Sequence, residues 1–288
     1  WREFATSDDG ERVRWVDVGT RNFTFYDTPV TVAKEFAAHL AGSSAAWIMT
    51  SATLAIEQSF AHFRAQLGLD EARECLWPSP FDYAHQSLLY VPRLAAAPRT
   101  ANFERELVDA ALPVLEASRG RAFFLFTSYR SLDLCASLLR GRLDFPLLVQ
   151  GDAPRSEILR RFHTIDHAVL LGTATFWEGV DVRGERLSCV IIDKLPFGVP
   201  DDPVTRARSA ALTARGEKPF FALQLPEAIT ALKQGAGRLI RDVDDHGVLM
   251  IGDVRLRTRG YGRAFLNSLP PMPLTDSLAD VQHFFAGR

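Results

Sequence analysis

Seven short, nearly unbroken apolar runs, set between stretches of helical period, limit what this chain can fold into more than any other feature. They cover 46–50, 87–91, 122–127, 146–149, 168–171, 189–192 and 248–251. A strand with one wet face alternates apolar and polar residues, so a continuous run points to a strand covered on both faces. Between the runs the spacing predicts helices over 31–40, 102–118, 132–139, 153–162 and 226–241, with a short helix at the C-terminus. Strand and helix in alternation define an α/β fold: a parallel sheet with right-handed crossovers and helices on both faces. In such sheets polar chemistry gathers in the loops past the carboxyl ends of the strands. Here those ends carry Thr50 to Thr53, Thr127 to Tyr129, Gln150 and Gly151, Gly172 to Asp181, and Asp193.

Composition narrows the class of protein. Of 288 residues, 47% are hydrophobic and 24% charged, as in ordinary globular domains, and no apolar run is long enough to span a bilayer. A cytoplasmic setting with no membrane partner is the expectation. The net charge of −2 supplies no global basic field, so a nucleic-acid groove would have to be built locally. Cys75, Cys135 and Cys189 lie far apart without a Cys-x-x-Cys pair, which predicts buried core thiols and no metal site. The prolines of Trp77-Pro-Ser-Pro80 predict an interdomain linker, dividing the chain into 1–76 and 77–288.

The most specific segment is Gln234-Gly-Ala-Gly237-Arg238-Leu-Ile-Arg241. On a helix, Gln234, Arg238 and Arg241 would share one face at i, i+4 and i+7. Two arginines on one face suit an anion whose charge grows in a transition state, such as a γ-phosphate. The alternative is a solvated amphipathic face with both arginines paired to acids. Gly172-Thr-Ala-Thr-Phe-Trp-Glu178-Gly-Val-Asp181 follows a buried strand, and its hydroxyls and aromatics suit a nucleic-acid backbone and a stacked base. There the alternative is a loop with Trp177 in the core and Asp181 in a turn.

Taken together and in order, these segments resemble the motifs of XPD-like superfamily 2 DNA helicases of the DinG/YoaA branch, nearer its YoaA members. Motif six in that superfamily reads Gln-x-x-Gly-Arg-x-x-Arg, matched by Gln234, Gly237, Arg238 and Arg241. Phe176 to Asp181, Val190 to Phe197 and Pro200 to Pro203 resemble further elements of the branch. Thr50-Ser-Ala-Thr-Leu54 resembles motif three, Phe126-Thr-Ser-Tyr129 motif four, and Gln150-Gly151 the element after it. The resemblance implies a RecA-like second motor domain over 77–288, preceded by the remainder of a first RecA-like domain over 1–76. It implies that Arg238, Arg241 and Gln234 act at the γ-phosphate of ATP, with Glu178, Gly179 and Asp181 near the nucleotide. Thr127, Ser128, Tyr129, Gln150, Thr173 and Trp177 would lie toward single-stranded DNA, and Ser51 and Thr53 would couple hydrolysis to domain movement. Translocation would run 5′ to 3′, in DNA repair or replication.

No Gly-x-x-x-x-Gly-Lys-[Ser/Thr] loop occurs in the sequence. Asp70-Glu-Ala-Arg73 imitates an acidic box but follows Gly68-Leu69 at a predicted helix end, and Asp193 and Asp253 end apolar runs without a following Glu. ATP and Mg²⁺ would therefore be held mainly by a first motor domain outside this sequence, as would the family's iron–sulfur cluster. The fragment alone is expected to be inactive. Two other readings stay open: an ATP-independent nucleic-acid-binding module, and a module docking a replication partner such as the polymerase III χ subunit. For docking, the arginines of Arg255-Leu-Arg-Thr-Arg259 and the terminal Phe284-Phe285 are the candidates. Arg155, Arg160 and Arg161 read equally well as a solvated helix face.

Overall fold

The computed structural model describes residues 10–173, 184–198 and 201–287, which form two compact units. One holds the described residues up to Trp77 together with Phe197–Thr230; the other holds Pro78–Pro196 and the residues from Ala231 onward. The described α-helices and strands, in chain order, are β1 (Arg12–Val18), β2 (Phe23–Pro29), α1 (Ala33–Ala41), α2 (Ala61–Leu67), α3 (Tyr83–Gln86), β3 (Ser87–Tyr90), α4 (Phe103–Ala117) and β4 (Ala122–Phe126). They continue as α5 (Tyr129–Leu139), β5 (Leu147–Val149), α6 (Arg155–Thr164), β6 (Val169–Thr173), β7 (Cys189–Ile192), α7 (Pro203–Ala214) and α8 (Leu225–Ala236). Last come β8 (Gly247–Ile251), α9 (Arg255–Thr258), α10 (Gly262–Ser268), β9 (Leu274–Thr275) and α11 (Leu278–Ala286).

In the smaller unit β1 and β2 form an antiparallel hairpin in which Trp15 stacks on Tyr26 with ring centroids 4.6 Å apart. Arg12 and Arg14 converge on Asp27 across it, holding that carboxyl below its ordinary range. Arg208 on α7 donates to the Val30 carbonyl at 2.8 Å, which joins the later segment to the hairpin's end. The run 46–50 is not a strand, contrary to its apolar pattern. It pairs with no described strand, and Ile48 is 86% exposed. Apolar sequence alone makes no ladder; a strand needs a neighbour to take its N–H and C=O groups. Gly68, at φ +66°, terminates α2 as a left-handed cap, so Asp70-Glu-Ala-Arg73 does follow a helix end.

The larger unit is a seven-stranded sheet in the order β5-β6-β4-β7-β8-β3-β9, parallel at every pairing. All the residues of β3, β4, β6, β7 and β8 are buried. Alternate side chains go to opposite faces, as the strand period requires. Phe124, Phe126, Leu171, Ile191 and Met250 enter one core with α4, α5 and α11. Phe123 faces the other way and meets Phe162 of α6 at 4.7 Å between centroids. Helices thus cover both faces, which is why the runs in the sequence lack polar alternation.

Most of the predicted helices form within a few residues of their expected ends, and local caps explain the starts. Ser128 accepts from the Ser131 N–H at the head of α5, Asp202 from Thr205 at α7, and Ser277 from Asp280 at α11. The helix expected over 226–241 is shorter: α8 ends at Ala236. Glycines at 235 and 237 each weaken a helix by about 1 kcal/mol relative to alanine, and a tight turn replaces it, with the Arg238 N–H donating to the Gly235 carbonyl. Cys135 and Cys189 are buried as predicted and burial raises both thiols, Cys189 to about 12, but Cys75 is exposed because its segment after α2 contributes nothing to a core.

Gly120 lies in the tight connection from α4 to β4 at φ +69°, where a Cβ would collide with the His167 carbonyl. We predict that Gly120→Ala lowers the unfolding free energy by about 1–3 kcal/mol, from left-handed strain plus the clash. Urea unfolding checks this, and an unchanged midpoint would refute it.

Candidate functional site

The carboxyl ends of the three strands β5, β6 and β4 lie side by side, and their end residues form one hydrogen-bonded chain. Gln150, after β5, accepts on Oε1 from the N–H and hydroxyl of Thr173 at 2.6 and 2.9 Å, and its Nε2 donates to the Tyr129 hydroxyl at 2.8 Å. Thr173 is buried while Tyr129 is 57% exposed, so the chain runs from the sheet outward to an aromatic ring facing solvent. Three residues predicted for one role from separate segments thus meet at one place. Thr127 points inward instead: its N–H donates to Asp193 Oδ1 at 3.1 Å. Ser128 is occupied as the cap of α5.

Asp193, at the end of β7, anchors this edge from below. It is fully buried and accepts from the Thr127 and Lys194 N–H groups and from Lys194 Nζ at 2.7 Å. Burial pushes its carboxyl up to about 6, and the Lys194 ammonium and the backbone donors oppose that rise. Lys194 continues to the Ser131 hydroxyl at 3.1 Å, which donates to Glu104. Asp253, at the end of the adjacent β8, is likewise fully buried; it takes the Leu195 N–H and a two-pronged pair from Arg255. Two carboxylates at adjacent strand ends are each matched by a cation beside them. Strand-ending acids were visible in the sequence; their partnership with Thr127 and Leu195 was not.

The arginines lie at the other end of the sheet. Arg238 and Arg241 sit past the end of α8 in the loop that enters β8 from its amino side, and both are half-buried; Gln234 is on α8 itself and exposed. The helical face expected for the three residues therefore does not exist. Turn geometry replaces it, fixed by the Asp245 carboxylate, which accepts from the Arg241 and Asp242 N–H groups at 2.7 and 2.8 Å. Glu178, Gly179, Asp181 and Trp177 lie outside the described residues. Ser51 and Thr53, in the smaller unit, are within 3.2 Å of each other through their hydroxyls.

Against known proteins, the family model of the helicase C-terminal domain matches residues 111–272. This chain belongs to that family. ATP-dependent DNA helicase YoaA of Escherichia coli is 45% identical over 272 residues, covering 94% of this chain and 43% of the relative. ATP-dependent helicase DinG of Mycobacterium tuberculosis is 36% identical over 260 residues, covering 88% of this chain and 39% of the relative. A solved structure titled XPD helicase superposes with a TM-score of 0.66 at 17% identity, covering 92% of this chain and 48% of that one. The RecA-like α/β fold expected for the helicase branch is thus the fold observed. The chain spans less than half the length of these relatives.

Among the described residues no group of three or more His, Cys, Asp or Glu side chains is placed to hold a metal ion. No described helix is long and apolar enough to cross a membrane. The other predicted basic clusters resolve into ordinary pairs. Glu157 binds both Arg160 and Arg161 at 2.8 Å and is held down to about 2 by them, the solvated face allowed by the sequence. Arg255 is spent on Asp253 and Arg257 on Asp276, while Phe285 enters the core and Phe284 packs against it. Arg259 and Arg263 line an open groove of about 460 Å³ with Leu256, Leu266 and Leu274.

The Asp193 environment yields a pH signature. Its folded value near 6 lies above the ordinary carboxylate value, so the folded state holds this proton more tightly. The stability it contributes is complete at low pH, is lost as pH rises to about 6, and is flat above. Relative to Asp193→Asn, the parent chain should lose up to about 3 kcal/mol between pH 4 and 6.5 in urea unfolding. Parallel stability–pH curves would exclude this.

Proposed function

We propose that this chain is the C-terminal motor portion of an ATP-dependent DNA helicase, acting in DNA repair or replication with 5′ to 3′ translocation. The observation that carries the reading is the chain Thr173–Gln150–Tyr129, which sets an exposed aromatic ring on buried polar anchors at the carboxyl ends of three adjacent parallel strands. An aromatic face accepts a base of any sequence, and each such stack is worth about 1–3 kcal/mol. Trp177 would extend the platform. Arg238 and Arg241, with Gln234, would meet the γ-phosphate of ATP bound by a first motor domain and stabilise charge as the phosphoryl group departs. Glu178, Gly179 and Asp181 would follow nucleotide state, and Ser51 and Thr53 would couple it to domain movement. Mg²⁺ and an iron–sulfur cluster belong, in this reading, to that first domain.

Two outcomes test the reading. In the full-length protein, Arg241→Ala or Arg238→Ala should reduce single-stranded-DNA-stimulated ATP hydrolysis by about 10³-fold or more, while the isolated chain should hydrolyse ATP negligibly. In a fluorescence titration, Tyr129→Ala should weaken single-stranded DNA binding about tenfold at either of two salt concentrations. An ATP-independent nucleic-acid module would instead bind DNA indifferently to nucleotide and to Arg238→Ala. A second reading, docking of a replication partner such as the χ subunit, is favoured by the Arg259 and Arg263 groove alone. Partner capture that survives charge reversal at both arginines excludes it.

A further inference from the structure

The amino ends of β3, β8 and β7 are aligned, with Ser87 paired to Gly247 and Cys189 to Val248. Three segments that sequence distance keeps far apart arrive there together. Asp245 stands two residues ahead of β8 and is only 5% exposed. Its Oδ1 accepts from the Gly184 N–H at 2.9 Å. Its Oδ2 accepts from the N–H groups of Arg241 and Asp242 at 2.7 and 2.8 Å. Behind the same loop, Gln86 at the end of α3 directs Nε2 at the carbonyls of Val243 and Asp245, both at 2.8 Å, and of Asp242 at 3.3 Å. These bonds from Asp245 and Gln86 fall on the backbone of the loop, so they fix the path of the main chain that carries Arg241, not merely its side chain.

Gly184 lies on the amino side of β7, ahead of Cys189. One carboxylate therefore holds the arginine loop to the backbone that leads into β7. We propose that Asp245, backed by Gln86, is a positioning residue that clasps the arginine loop to that backbone and so fixes the aim of Arg241. The proposal rests on the motor reading above, since it gives Arg241 something to act on. Replacing Asp245 by Asn presents an amide N–H₂ to one of the two sets of backbone donors, donor against donor, and releases one segment while preserving side-chain shape.

The test uses the full-length protein with ATP, with and without single-stranded DNA. Asp245→Asn should lower kcat of DNA-stimulated hydrolysis by about ten- to a hundredfold, as misplacement of a catalytic group does, with KM for ATP unchanged. Combined with Arg241→Ala, it should slow hydrolysis no further than Arg241→Ala alone, because the clasp acts through that arginine. A general folding defect would multiply the two losses. Gln86→Leu keeps the carboxylate, should give a smaller loss of kcat in the same direction, and decides the matter if Asp245→Asn does not fold. Normal hydrolysis by Asp245→Asn (or, where that does not fold, by Gln86→Leu) beside a crippled Arg241→Ala, or multiplying losses, overturns the clasp alone. Normal hydrolysis by Arg241→Ala overturns the motor reading, and the clasp with it.

Discussion

An all-parallel sheet covered on both faces leaves polar chemistry no place except its two ends. Every residue of β4, β6, β7 and β8 is buried, so the side chains there are committed to packing. Crossovers carry each connection from one end to the other, and consecutive loops therefore alternate between the two edges. The candidate site inherits this geometry. Tyr129, Gln150 and Thr173 gather at the carboxyl edge, while Arg241 and Asp245 gather at the amino edge. No single loop can hold both, and any coupling must pass through segments that travel the height of the sheet.

Each edge is organised by a buried carboxylate. Asp193 takes the Thr127 and Lys194 N–H groups, and Asp245 takes those of Gly184, Arg241 and Asp242. Loops that leave a parallel sheet have orphan backbone donors, and leaving one buried and unsatisfied costs about 1–3 kcal/mol. A carboxylate with two oxygens satisfies several at once and ties together loops from different strands. The difference between the two is in their charge partners. Asp193 has the Lys194 ammonium at 2.7 Å, whereas Asp245 takes backbone N–H groups from Gly184, Arg241 and Asp242.

The strands were legible because double burial erases polar alternation, a signal that needs only composition within a short window. The run 46–50 carried the same signal without becoming a strand, since pairing depends on neighbours that a window cannot see. Ser128 and Ser277 fix the starts of α5 and α11 by local capping bonds that the apolar period does not report. The end of α8 was misread because the apolar period continues past Ala236 through Leu239 and Ile240, which are buried although not helical. Burial preserves the pattern; the glycines and the Asp245 bonds change the backbone beneath it. Gln86 had no sequence signal at all, because its three acceptors lie more than 150 residues away.

The early end of α8 at Ala236 changes how the arginines must work. On a rigid helix, Arg238 and Arg241 would hold a fixed spacing set by the 3.6-residue period, and their aim could change only if the whole helix moved. In a loop entering β8, their aim is set by a few directed bonds to the Asp245 carboxylate. By ending α8 early, the glycines at 235 and 237 hand control of the arginines from the helix to Asp245.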